Sequence, residues 1–299
     1  LDPGKTITRN FVALFAGRVV TAGAAVVATL ILARTLDAAD FGHYSLLVAL
    51  LTVAAALVDF GGNAIAAREI ARGTEAPGRV LAVLFRARLL LAVVAVVAAS
   101  AYVAAAVPAE SRLVLGLGLL GILPLAFNGA DAWFQASGRM ELSVFPRSTI
   151  QMAWIAALAA LAASGSLGLE SAVLLRVGAA ALAACLVGAI AVRQVRPLRR
   201  PRPGGLGRFL RASAPVGVAG FITMLYFHLD TMMLEVYRGA SEVAIYQAAY
   251  RLFGFGTTVL GMIVFPFFPF LSRLHGTDRI AFRRMLGRAL FAVALFAVP

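Results

Sequence analysis

Charged residues and cysteine are both scarce in this chain, and each shortage removes a class of protein. Asp, Glu, Lys and Arg make up 14% of the 299 residues against 61% hydrophobic ones, where a soluble domain carries about 25% charge. A water-facing globular fold is excluded. Cys185 is the only cysteine and lies inside an apolar run, so neither a disulfide framework nor a cysteine-based metal site is available. It reads as a small buried apolar residue. His43, His228 and His275 fall in different segments with no metal-ligand spacing among them, and no nucleophile motif accompanies them. No covalent enzyme, metal or cofactor is expected. The glycines of Gly204-Gly205-Leu206-Gly207 follow no strand and read as flexible linker, not as a phosphate-cradling loop.

Long apolar runs are what the chain has in abundance. A helix needs about 20 residues to cross roughly 30 Å of hydrocarbon. Runs of this kind extend from Phe11 to Leu32, Gly42 to Val58, Leu89 to Val107, Leu113 to Phe127, Thr149 to Ala163, Ala172 to Val192, Ala212 to Leu234 and Val243 to Phe270, and a last one runs from Ala289 to Pro299. The core of a cleavable signal peptide has about 7 to 15 apolar residues; the first run is longer and reads as a retained span. With no initial Met and a ninth run cut short, the sequence reads as a piece of a longer protein.

Between the sixth and seventh runs lies RQVRPLRRPRPGGLGRFLR, Arg193 to Arg211, with seven arginines and three prolines. It is too charged for a bilayer and too rich in proline for one helix. The expected organisation is a six-span bundle over residues 1–192, a cytoplasmic basic linker over 193–211, and the start of a second bundle over 212–299 that holds spans 7, 8 and part of 9.

Orientation follows from where the basic residues fall. The N-terminal segment, the second, fourth and eighth gaps and the linker hold 21 of the 27 Lys and Arg, whereas the first, third, fifth and seventh gaps hold only Arg34, Arg112 and Arg238. By the positive-inside rule the N-terminus and linker are cytoplasmic. The formal charge of +13 is thus a basic membrane face whose partners are anionic lipids, with no basic tract on a polar domain to suggest nucleic-acid binding. Outward gaps are short and leave no room for an external catalytic domain.

A shift of 202 residues lays Ala38-Ala39-Asp40-Phe41-Gly42-His43-Tyr44 over Ala240-Ser241-Glu242-Val243-Ala244-Ile245-Tyr246. Both copies of A-[AS]-[DE]-[FV]-[GA]-x-Y sit in the outward turn between the first and second span of their half. A repeat of six spans returns the second half in the same orientation as the first. The expected fold is therefore an all-α integral membrane protein of two six-helix-type bundles related by a pseudo-two-fold along the membrane normal, with the substrate path between them.

Leu32-Ala33-Arg34-Thr35-Leu36-Asp37 leading into that first turn, then Asp59-Phe60-Gly61-Gly62-Asn63 and Arg68-Glu69-Ile70-Ala71-Arg72, resemble the opening of polysaccharide-synthesis flippases of the O-antigen translocase group. Asp230-Thr231-Met232-Met233-Leu234 and Glu242 to Leu252 resemble that family's seventh-span exit and eighth-span entry. These flippases are related to the multidrug and toxin extrusion transporters and to the peptidoglycan-precursor flippases. The resemblance implies 12 to 14 spans in two bundles that open alternately, in a bacterial or archaeal cytoplasmic membrane. It implies an undecaprenyl-pyrophosphate-linked oligosaccharide as substrate and other polysaccharide-assembly membrane proteins as partners.

Ionisable side chains inside apolar runs are costly, about 2.5 to 3.5 kcal/mol at mid-span on insertion scales, and five stand out. They are Arg18 in the first run, Arg176 in the sixth, His228 and Asp230 in the seventh and Arg251 in the eighth. As a site, these five line the passage and bind the anionic part of the substrate through guanidinium forks. As structure, Asp230 pairs with Arg251 in one hairpin, Arg18 and Arg176 snorkel to headgroups, and His228 packs or hydrogen-bonds. Asp59 and Asp131, near Asn63 and Asn128 at the cytoplasmic ends of spans 2 and 4, read as helix caps or as partners of nearby arginines. Gly116, Gly118 and Gly121, and Gly254 with Gly256, permit close helix approach, and Pro124, Pro266 and Pro269 kink their spans.

The expected activity is flippase transport of a lipid-linked oligosaccharide. Two alternatives stand beside it: a cation-coupled multidrug exporter, which would need a cavity carboxylate, and a membrane-embedded glycosyltransferase or ligase, which would need acidic or histidine residues on a sizeable external loop. The topology is checked in intact cells with an impermeant thiol reagent in a Cys185→Ala background. Asp37→Cys and Gly239→Cys are expected to label from outside and Arg200→Cys only after permeabilisation. Labelling of the linker cysteine from outside refutes the assignment.

Overall fold

The computed structural model describes residues 23–73, 75–195, 204–264 and 286–287. Among the described residues every element is a helix. They are α1 (Gly23–Thr35, the described part of its run), α2 (Ala38–Asp59), α3 (Gly62–Arg72), α4 (Pro77–Ala106), α5 (Ala109–Leu119), a 3-10 segment (Leu120–Gly129), α6 (Ala130–Ala136), α7 (Glu141–Ala163), α8 (Leu169–Val195), α9 (Gly205–Arg238) and α10 (Ala240–Val264). Contacts divide the chain into two units, Leu1–Gln247 and Ala248–Pro299. The packing described below belongs to the first.

Among the described residues, six stretches are long and apolar enough to cross a membrane: Ala38–Arg72, Pro77–Ala106, Ala109–Ala136, Glu141–Ala163, Leu169–Val195 and Gly205–Arg238. They cover the second to seventh apolar runs, all but Val107 of the third, and overrun them at one or both ends. The chain is an all-α, multi-spanning membrane protein. The overrun matters most in α4, which starts at Pro77 with proline in its first turn and so carries Arg79, Arg86 and Arg88 on the helix itself. Around the linker, α8 continues through Val195 and α9 begins at Gly205. Arg193, Arg208 and Arg211 therefore lie on helix ends.

Local signals place the boundaries. The Asp37 carboxylate accepts the Asp40 backbone N–H at 2.8 Å and caps α2, satisfying a donor that the first turn leaves open. At its other end α2 stops where Phe60 and Gly61 take left-handed φ values of 41° and 70°, an elbow that starts α3 in a new direction. Pro124 lies inside the 3-10 segment and lacks the N–H an α-turn needs. Ten residues is long for such a segment, since runs beyond 3–4 residues are uncommon.

Packing inverts the water-soluble pattern. On α4 the small residues Ala92, Ala95 and Ala99 are buried, while Leu89, Leu90, Val93, Val94 and Val97 are exposed. Lipid tails are as apolar as leucine, so small side chains that let backbones approach are what the interior selects. Gly118 fits this, since a Cβ there would lie 2.4 Å from Leu47, and Gly121 has Val177 at 3.3 Å; Gly116 meets nothing within 4 Å. Cys185 departs from its sequence reading: it lies on an exposed face of α8, because apolar residues are tolerated on the lipid side as well as inside. Pro266 and Pro269 lie outside the described residues.

One extensive seam is formed by α2 and α9, which run antiparallel. At one end a Cβ on Gly42 would lie 1.8 Å from the Ala240 carbonyl oxygen, and at the other a Cβ on Gly217 would lie 2.5 Å from that of Phe60. Backbone thus meets backbone at both ends, α2 with the first residue of α10 at one and the residue after α2 with α9 at the other. Gly42→Ala is expected to lower stability by about 1–3 kcal/mol as an overpacked contact, whereas Gly116→Ala is expected to be neutral or slightly stabilising. Thermal unfolding of the detergent-purified protein compares them, and equal melting temperatures would refute the seam.

Candidate functional site

Among the described residues, three groups of polar and charged side chains stand out inside the bundle. The first joins α2, α4, the 3-10 segment, α6 and α7. Arg88, only 3% exposed, ion-pairs with Asp59 at the end of α2 and donates to the Leu125 carbonyl at 3.0 Å. Arg147 on α7 reaches Asp131 at 2.6 Å and the Asn128 side-chain oxygen at 3.1 Å, while the Ser143 hydroxyl also donates to Asp131. Asp59 and Asp131 are therefore partners of arginines, one of the two roles their positions suggested. Two acids and two guanidiniums make the group neutral, and most of the donors it shows are turned on its own acceptors, the buried Arg88 Nε–H being left over. Such a group ties helices together and leaves little charge for a ligand.

The second place lies along the seam of α2 and α4 with α9 and the start of α10. The Tyr102 hydroxyl donates to the Met232 carbonyl at 2.6 Å. The Tyr246 hydroxyl donates to Asp230, which also accepts from the Thr231 backbone N–H at 2.7 Å. Gln247 donates to the Thr231 hydroxyl, and His43 faces Glu235. Asp230 is thus engaged across the α9–α10 turn, and His228 sits half-buried two residues before it with its Nδ1 atom unpartnered.

The third place is Arg176 on α8. Its guanidinium carbon lies 5.1 Å from the centroid of the Trp154 ring on α7, within the range where a cation is attracted to an aromatic face. Among the described residues no carboxylate comes within ion-pair reach of Arg176. Trp154 is 5% exposed and its indole N–H has no hydrogen-bond partner. An unpaired guanidinium and an orphaned donor in one stack leave hydrogen-bonding capacity for acceptor oxygens.

Of the five residues expected to bind substrate, the structure puts His228 and Asp230 on one helix and Arg176 against α7. Arg18 lies outside the described residues. Arg251 belongs to the second unit, where it is half-buried and engaged in an interaction of its own. Sequence reasoning passed over Arg88, counted among the gap arginines, and over Trp154 and Glu235. Proline at the start of α4 was the signal that Arg88 lies on a helix; nothing in one dimension marked the other two. Among the described residues, no three His, Cys, Asp or Glu are placed to hold a metal ion.

No curated protein and no solved structure matches the chain. The family described as "Polysaccharide biosynthesis protein" matches residues 7–275, a stretch that includes every helix from α1 to α10 and the residues of all three polar groups. The chain therefore belongs to the polysaccharide biosynthesis protein family, as a multi-pass membrane protein of the transport type.

Proposed function

We propose that the protein is a flippase that carries an undecaprenyl-pyrophosphate-linked oligosaccharide across the cytoplasmic membrane by alternating access of two bundles. The N-terminus and linker face the cytoplasm, and Arg18, Arg176 and Arg251 bind the anionic part of the substrate. The observation that carries this reading is the Arg176 guanidinium stacked on Trp154, with no carboxylate partner among the described residues. A cation held within an apolar span without an internal counter-charge is costly, and an anionic ligand offsets that cost while it is bound. Guanidinium stays charged at any relevant pH and offers paired donors that match phosphate oxygens. Family membership agrees with a glycan-related cargo.

The two-bundle arrangement is supported by the repeated turn. Gly42 in the first copy packs against Ala240 in the second, and elements related by a two-fold axis meet their equivalents where the axis passes. His228 and Asp230 border the same path, with Asp230 oriented by Tyr246.

Arg176→Gln is expected to weaken substrate binding by about 1.5–3 kcal/mol, the worth of a hydrogen bond to a charged group, or roughly 10- to 100-fold. Arg176→Lys keeps the charge without the fork and retains part of the activity. Surface-glycan export in cells that depend on the introduced gene, read beside the amount of protein in the membrane, measures this. If Ala variants of Arg18, Arg176 and Arg251 together insert normally and support full export, the arginines are structural.

A further inference from the structure

His43 on α2 and Glu235 on α9 stand 192 positions apart in sequence, and the seam brings them together. His43 is 6% exposed and Glu235 is 3% exposed. The imidazole Nε2 lies 3.5 Å from Oε1 of the carboxylate, yet neither ring nitrogen makes a hydrogen bond, and neither does Oε2. Neighbouring donors are committed elsewhere, Tyr102 to the Met232 carbonyl and Gln247 to Thr231. Leu46, one turn beyond His43 on α2, is buried and apolar, as are Val243 and Ala244 at the start of α10.

Among the described residues, the charges nearest the pair do not compensate it. On α2, Asp40 is acidic and interacts with His43. On α4 the nearby titratable group is Tyr102. On α9, Asp230 is occupied by Tyr246 and Thr231, and on α10 Glu242 is exposed. Among the described residues His43 is the only basic side chain within ion-pair reach of Glu235.

Counting protons on the pair decides what the closed seam holds. With none, an anion is buried without a partner; with two, a cation is. Either costs several kcal/mol once solvent is excluded. With one proton the pair is neutral overall, whichever atom carries it. We propose that His43 and Glu235 form a proton-binding site, and that closing the seam between α2 and α9 takes up one proton from water while opening releases it. The seam's packing suits a two-position element, because the backbone contact at Gly42 and Ala240 is either made or broken. This inference concerns the seam and holds whatever the transported molecule.

The test is a distance measurement by pulsed electron spin resonance on purified protein in nanodiscs. Spin labels are placed at the exposed positions Ala38 on α2 and Tyr237 on α9 in a Cys185→Ala background. Spectra at about pH 5.5 and about pH 8.5 lie on either side of the range where imidazole ordinarily changes charge. The unmodified pair is expected to give the short distance at the lower pH and a new, longer population at the higher one. Glu235→Gln keeps the shape and removes the need for a proton, so the short distance is expected at both. In His43→Gln the carboxyl alone must carry the proton, so the response persists with a displaced midpoint. A distance distribution that ignores pH in the unmodified pair overturns the proposal. So does an unchanged pH response in Glu235→Gln, or an unchanged midpoint in His43→Gln.

Discussion

Backbone contact of α2 with α9 and the start of α10 is the constraint from which much of the structure follows. Gly42 against the Ala240 carbonyl and Gly217 against that of Phe60 bring the α9–α10 corner and α9 itself to a distance from the α2 segment that no side chain can occupy at those points. In lipid there is little hydrophobic drive to hold helices together, and such close approach supplies the dispersion contacts that replace it. It also excludes water from the seam. Polar groups caught there must satisfy one another, and most do: Tyr102 with Met232, Tyr246 with Asp230, Gln247 with Thr231. His43 and Glu235 are the pair for which only an added proton removes the net charge.

Among the described residues, arginines within the spans stand in two electrostatic settings. Arg88 and Arg147 each have a carboxylate, and the carbonyl of Leu125 and the amide of Asn128 take further donors. Their network fastens the elbow after α2 and the overwound segment between α5 and α6 to α4 and α7. Burying such a pair is nearly balanced between desolvation and attraction, while removing one member costs about 3–5 kcal/mol. Arg176 has a ring face and no acid among the described residues. An aromatic face holds a cation in place without neutralising its charge, which leaves the field available to an anion.

Hydropathy and charge, being properties of the chain in one dimension, fixed the membrane class, the positions of spans 2 to 7 and the expected sidedness. Span length is set by hydrocarbon thickness and the helix rise, and neither depends on neighbours. Turn chemistry was equally legible: Asp37 caps α2, and Phe60-Gly61 ends it. Aspartates at span ends pointed to arginine partners because an acid there has few other ways to be satisfied.

Tertiary structure alone decided which faces meet. In a soluble helix the apolar stripe marks the buried side, but here both sides are apolar, and interior and lipid faces differ mainly in side-chain size, as Ala92, Ala95 and Ala99 do from Leu89, Val93 and Val97. That difference is too weak in a sequence to assign partners. Cys185 accordingly turned outward, Gly118 inward and Gly116 into open space. Arg88 became an interior residue, Trp154 came under Arg176, and Glu235, written in the chain as part of an outward turn, came to lie against His43. Composition and spacing determined that this chain crosses a membrane many times; the close packing of α2 on α9 determined where its charges have partners, because an ion pair between residues far apart in sequence exists only once two helices have been brought into contact.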